Sequence, residues 1–290
     1  CGAEVIFADV DAATGLLTTE TLQQALDTHP NARIRAVMPV HLGGHCCDMA
    51  AIRKLADEHG LTIIADSCHA LGGSYRGHAV GSCAYADFAT FSFHPVKAIA
   101  MGEGGAVTTN DDAAAGHMRT LRSHGMNPRP DEGPWVYDMA ELGYNYRASD
   151  IQCALGLSQL GKLDDFVQRR RELADMYDEL LAPLAPIVTP PQRVAHCEPA
   201  WHLYAVRIDF DAAGITRGEL MTQLKEQGIG TQVHYIPVHT QPYYEQRYGT
   251  HDLPGAQAYY SQILSLPLYP NLINNQAEFV VRCLRQILNL

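Results

Sequence analysis

Two spacings of apolar residues alternate along the first half of the chain. Short apolar runs at residues 5–9, 34–40 and 61–65 read as buried strands, and residues 87–92 and 105–109 are two further strand candidates. Between these runs the spacing turns helical. Leu22 to Leu26 lies in a helical stretch that Pro30 ends, and Met49, Ile52, Leu55 and Ala56 share one helical face that Gly60 stops. Residues 111–122 read as another helix. Strands alternating with helices predict an α/β fold, a mainly parallel sheet covered on both faces. Such sheets bind ligands beyond the carboxyl ends of their strands. Asp66 directly follows the third strand, so it lies where chemistry is expected.

The pattern changes at Ser149, a helix N-cap residue followed by Ile151, Ala154, Leu155 and Leu163 at helical spacing. A long polar helix over residues 164–181 comes next, then a stretch carrying Pro183, Pro186, Pro190 and Pro191. Beyond it, residues 201–208 and 230–235 read as strands. Thr216 and Glu219 form a capping box opening a helix that Gly228 ends, and residues 276–290 read as a closing helix. The expected organisation is a large α/β domain over residues 1–165, then a linking helix and a smaller α+β domain over residues 166–290. The chain opens on Cys1 and enters a strand pattern at once, so an N-terminal piece of the large domain is expected to be missing.

Charge narrows the function classes. With 21 basic and 32 acidic residues the net charge is −11, and an acidic body repels phosphate backbones, which argues against nucleic-acid binding. No apolar run reaches the length of a membrane span. The eight cysteines form no C-x-x-C pair and read as reduced thiols in a cytoplasmic protein.

Lysine is scarce, with only Lys54, Lys97, Lys162 and Lys225. Three lie in helical patterns where a solvated amine is ordinary. Lys97 instead follows a buried strand, has apolar neighbours, and precedes Gly102, Gly104 and Gly105. Apolar surroundings disfavour a charged amine, the condition for a nucleophilic lysine. The plainer reading is a loop lysine reaching water. Asp66, at a strand end, suits a protonated pyridine nitrogen, or it caps its own turn. His69 leans toward the same place or is a core histidine. Ser92, five residues before Lys97, could hold a phosphate or bond its own backbone. Asn145 and Arg147, among Tyr144 and Tyr146, suit anion binding at a loop or form a tyrosine-rich surface.

Two other chemistries are weaker. The run from His41 to Cys47, and His234 with His239, raise a metal site. Adjacent cysteines on an extended segment point opposite ways, however, and Gly43 and Gly44 break a helix, so no metal is expected. Gly72 to Gly77 misses the G-x-S-x-G elbow of serine hydrolases by one residue.

The blocks Asp66 to Gly72, Phe91 to Lys97, Glu103 to Val107, Arg122 to Met126, Ala154 to Leu160 and Gln232 to Pro237 together resemble the DegT/DnrJ/StrS sugar aminotransferases. The resemblance covers essentially the whole chain. Within the family it is nearest to the transaminases that make a UDP-linked 4-amino-4,6-dideoxy sugar on the pseudaminic acid route. It implies a fold-type-I architecture and pyridoxal 5′-phosphate as cofactor. Lys97 would be the Schiff-base lysine, Asp66 the partner of the ring nitrogen, His69 a ring contact and Ser92 a phosphate ligand. Asn145 would reach the cofactor phosphate of a partner subunit in a homodimer with shared active sites. His234, Tyr235 and Arg147 would face the substrates, a nucleotide-linked keto sugar and an amino-acid donor such as glutamate. Family members begin with a longer segment carrying a phosphate-binding turn and a ring-stacking aromatic, and neither is in this sequence. Two alternatives accompany this reading. One is a dehydratase of the same fold, although that branch carries histidine where Lys97 stands. The other is an inactive, truncated or sensor homologue.

Overall fold

The computed structural model describes residues 2–290. Helix α1 (Thr19–Thr28) starts at Thr18, whose hydroxyl accepts the Thr21 N–H. Strand β1 (Ala36–Val37) is short. Helix α2 (Met49–Glu58) is capped by the Asp48 carboxylate and buries Met49, Ile52 and Ala56. Strand β2 (Thr62–Asp66) runs parallel to β1, with Ala36 opposite Thr62. After a small hairpin of β3 (Ser74–Tyr75) and β4 (His78–Ala79), strand β5 (Phe88–Ser92) pairs parallel with β2. Strand β6 (Gly105–Thr108) then pairs antiparallel with β5. The sheet order is β1-β2-β5-β6, mainly parallel. Side chains alternate across it: Ile63, Ala65, Ala89 and Phe91 are buried on one face. The register sets Asp66 beside Thr90, so the carboxyl ends of β2 and β5 lie together.

Helix α3 (Asp112–Arg122), capped by Asp111, carries Arg119 and Arg122 in its last turn, where cations favour the helix dipole. A hairpin of β7 (Met126–Pro128) and β8 (Tyr137–Met139) leads to α4 (Asp150–Leu160), opened by a Ser149–Gln152 capping box. Much apolar surface stays exposed here, including Trp135, Leu142, Tyr146, Ile151 and Leu157. Helix α5 (Leu163–Leu181) instead buries one stripe: Val167, Arg170, Leu173, Ala174, Tyr177 and Leu181.

Strand β9 (Val188–Thr189) begins the last part of the chain, and β10 (Cys197–Glu198) returns to pair with β3. Strand β11 (Tyr204–Ile208) lies between β9 and a later strand. Helices α6 (Phe210–Ala213), α7 (Arg217–Glu226), α8 (Pro242–Tyr248) and α9 (Pro254–Gln262) follow, and the Thr216–Glu219 capping box opens α7. Strand β12 (Ile263–Leu266) pairs antiparallel with β11, and α10 (Asn274–Leu288) packs on α5. Buried residues form two clusters. One, from Leu16 to Phe91, lies against the mainly parallel sheet; the other, from Leu173 to Leu288, is built on Tyr177, Trp201, Tyr204, Leu264 and Leu284. Truncating a fully buried leucine such as Leu284 to alanine costs about 2–5 kcal/mol. No helix among the described residues is long and apolar enough to cross a membrane.

Three expected strands differ. Residues 5–9 form no strand; Phe7 packs edge-on against Tyr244 and His251, and the Asp9 carboxylate accepts the Gly255 and Ala256 N–H groups at the start of α9. Residues 34–40 reduce to β1 plus a bridge from Val40 to Asp66, and residues 230–235 to a bridge from Gln232 to Ser265. A strand is completed by its neighbour's hydrogen bonds, and these segments have partners at only one or two positions.

Candidate active site

The backbone of Asp66 is fixed on both sides: its N–H donates to Pro39 O at 2.9 Å, and its carbonyl accepts from His41 N–H at 3.0 Å. One carboxylate oxygen accepts the Cys68 N–H at 3.0 Å. The other accepts no N–H or O–H among the described residues, and the Cys68 thiol stands against the same carboxylate. The turn-cap reading of Asp66 is met, and its second oxygen takes no part in that turn.

His69 stands on the turn after Asp66. Its Nδ1 accepts the Gly43 N–H at 3.3 Å, which assigns the ring proton to Nε2, 3.4 Å from the Tyr235 hydroxyl. The His202 ring lies 4.4 Å away, centroid to centroid. Burial, with the Lys97 charge nearby, brings the His69 pKa down to about 4, although Asp66 pulls the other way. Burial depresses His202 still further, helped by His69, Arg170, Lys97 and His234. His234 bonds Ser265 Oγ through Nδ1 at 2.8 Å and is lowered by burial, then by Lys97. Three neutral histidines thus feel the charge of one lysine. Tyr235 is raised by burial and by Asp66, so it keeps its proton.

The glycines at 43 and 44 make this arrangement possible. A Cβ on Gly44 would lie 2.8 Å from Trp201 N, while Gly43 O and Gly44 O accept the N–H groups of Leu203 and Ala200. Arg170, buried on α5, fixes the same segment from behind: the two N–H bonds of its Nη1, one of them shared, reach the carbonyls of Trp201, His202 and Leu268 at 3.1, 3.2 and 2.9 Å.

Lys97 sits on a loop that the backbone closes. Phe93 N–H donates to Gly104 O, Met101 N–H to Phe93 O, and Lys97 N–H to His94 O. A Cβ on Gly105 would come 2.8 Å from Phe91 O, so that pairing needs glycine. The Lys97 side chain is half-buried and enters no ion pair among the described residues. Its charge bears on Cys68, His69, His202 and His234 together. Ser92 Oγ accepts the His94 N–H at 3.4 Å, which leaves its own proton free to donate.

Asn145 and Arg147 are not brought into this group. Both are exposed, and neither side chain hydrogen-bonds within the described residues. Their segment is pinned to the end of α3 by Tyr144 N–H to Leu121 O and Tyr146 N–H to Arg122 O, with Tyr144 and Tyr146 stacked 4.8 Å apart. Residues that sequence reasoning missed are His202, Ser265 and Arg170. A signal existed for Arg170, which shares the helical face of Val167, Ala174 and Tyr177.

Pyridoxal phosphate presents an aldehyde, a basic ring nitrogen and a phosphate. The site offers an amine outside any ion pair, a carboxylate oxygen that accepts no N–H or O–H and a hydroxyl with a free proton. The donor set fits the group.

Comparison with known proteins bears on the same point. The model of the DegT/DnrJ/EryC1/StrS aminotransferase family matches residues 1–285. The chain is 40% identical to the spore coat polysaccharide biosynthesis protein SpsC of Bacillus subtilis over 296 residues, covering 99% of this chain and 74% of that protein. Among solved structures, Helicobacter pylori PseC, an aminotransferase involved in the biosynthesis of pseudoaminic acid, superposes with a TM-score of 0.90 at 31% identity, over 99% of this chain and 74% of that one. DesV of S. venezuelae superposes with a TM-score of 0.84 at 35% identity, over 96% of this chain and 71% of that one. The chain therefore belongs to the DegT/DnrJ/EryC1/StrS aminotransferase family, sugar aminotransferases of fold type I whose cofactor is pyridoxal 5′-phosphate.

Proposed function

We propose that this chain transfers an amino group from an amino acid, glutamate, to a 4-keto-6-deoxy sugar carried on a nucleotide. The observation that carries this reading is the half-buried Lys97 amine, whose charge three neutral histidines feel, near the strand end that holds Asp66. When bound, the cofactor supplies an electron sink for the carbon that loses a proton. Lys97 takes that proton and later delivers it to the acceptor side, acting first as base and then as acid. Asp66 supplies a fixed negative charge through its second oxygen. His69, neutral and protonated on Nε2, orients the bound ring without adding positive charge. Ser92 donates to the phosphate. His234, Tyr235 and Arg147 are assigned to the substrates.

We assign Asn145 to the cofactor phosphate of a second subunit in a homodimer. Its exposure supports this, as do the uncovered Leu142, Tyr146, Ile151 and Leu157 around it. The acceptor is inferred from the likeness to PseC and SpsC. The scattered free cysteines of the described residues support a cytoplasmic setting.

The test is an absorbance spectrum with pyridoxal phosphate before and after borohydride, followed by peptide mapping. The cofactor is expected on the peptide carrying Lys97. Labelling of Lys54, Lys162 or Lys225 instead would overturn the assignment of Lys97.

A further inference from the structure

A second group of reactive side chains lies outside the Asp66–Lys97 site. Cys46 and Cys197, 151 residues apart in sequence, meet where β10 passes the turn after Gly44. The Cys46 N–H donates to Cys197 Sγ at 3.1 Å, and the Cys46 thiol lies 4.0 Å from Ser74 O. Cys46 is fully buried, whereas Cys197 is half-buried and so the one a small molecule meets first. Adjacent Cys47 faces elsewhere, with its thiol directed to Val40 O at 3.4 Å. Arg171 stands close to Cys197, held by bonds from Nε to Pro199 O and from Nη2 to Gly72 O.

These contacts separate the roles of the two thiols. The Cys46 thiol and N–H, with the Arg171 charge, favour the thiolate of Cys197 against burial and against Glu198. The same contact with Cys197, then burial, pushes the Cys46 thiol up. Cys47 is raised to about 12 by burial.

We propose that Cys197 is a hydroperoxide-reactive thiol and that Cys46 is its resolving partner, so that oxidation closes a Cys46–Cys197 disulfide. The Cys197 thiolate attacks one peroxide oxygen, the O–O bond breaks, and hydroxide leaves a sulfenic acid on Cys197. The Cys46 sulfur then attacks the Cys197 sulfur, the S–O bond breaks, and the thiol proton leaves with the oxygen as water. Both electrons come from the thiols, and the peroxide is reduced. The resulting bond ties the turn that holds His69, through Gly43, to the strand that leads into Trp201 and His202.

The folded chain is exposed to hydrogen peroxide, unfolded in alkylating reagent, digested and mapped by mass spectrometry. The expected result is loss of alkylation at Cys46 and Cys197 together, with a linked peptide about 2 Da lighter than its two thiol halves, reversed by dithiothreitol. Cys197→Ser should leave Cys46 fully alkylated after the same exposure, and Cys46→Ala should leave a Cys197 sulfenic acid that dimedone traps. Both cysteines still alkylated after an exposure that oxidises added glutathione would overturn the proposal. So would a link from Cys197 to Cys47, or a sulfinic acid on Cys197 beside an intact Cys46 thiol.

Discussion

Replacing Arg170 with methionine tests how the histidine cluster is held. One guanidinium nitrogen serves three carbonyls, those of Trp201, His202 and Leu268. Trp201 adopts a left-handed φ of 50°, so its segment needs such an anchor. Methionine fills similar space and donates nothing. Three bare buried carbonyls cost about 1–3 kcal/mol each, a middle figure of about 6 kcal/mol. Burial lowers the Arg170 pKa to about 10, so about 3 kcal/mol is recovered when the charge goes. The expected net loss is about 3 kcal/mol of unfolding free energy. Trp201 is buried and Trp135 exposed, so a Trp135→Phe background makes fluorescence in a urea titration report on the anchored segment. Arg170→Lys should fall between, because a point charge with fewer forked donors reaches fewer carbonyls. A loss under about 1 kcal/mol, or one equal to that of Arg169→Met, would refute the reasoning.

Other perturbations have equally definite outcomes. Lys97→Ala should abolish amino transfer and the borohydride label together; turnover at an undiminished rate would remove Lys97 from the chemistry. His41, His45 and His69 are each lowered to about 4 mainly by burial, so between about pH 6.5 and 4 the unfolded chain binds more protons than the folded one. Stability should be complete above about pH 6.5 and fall on acidification by up to about 1.4 kcal/mol per pH unit per histidine. A melting temperature that stays flat across that window would contradict it. Gly125→Ala should cost about 2 kcal/mol or more, because φ is +71° and the new Cβ would lie 2.0 Å from Glu141 O, displacing the segment that carries Asn145. Wild-type urea stability in that variant would refute this. Asp9→Ala should cost about 1 kcal/mol as the lost cap of α9, read as a lower unfolding midpoint.

The helices were legible because their signals are local. Ser149 and the Thr216–Glu219 pair cap α4 and α7 as their spacing predicts, and Gly60 and Gly228 stop α2 and α7 with positive φ. The pairing of Asp66 with Thr90 was only half legible, since a run of apolar residues predicts a strand but not its neighbours. Residues 5–9 fail for that reason: the apolar run is real, and Phe7 spends it on the aromatic side chains of Tyr244 and His251. Lys97, Asp66 and His69 stood out through scarcity and spacing. His202 did not, because its place beside His69 depends on the approach of Gly43 and Gly44 to residues 200–203. Arg170 was hidden within Arg169-Arg170-Arg171, a run that reads as a solvated face until one guanidinium turns inward.

The cap that Asp9 provides for α9 joins positions 246 residues apart. During synthesis the carboxylate leaves the ribosome long before the two N–H groups it serves. Residues 5–9 must therefore wait, with Phe7 exposed to water, until α8, His251 and α9 have all emerged. A contact this remote in sequence is entropically slow to close. It forms after the sheet that holds Asp66 and Lys97 has every residue it needs. Docking of residues 5–9 is then a late step, because it needs Tyr244, His251 and the start of α9 in place.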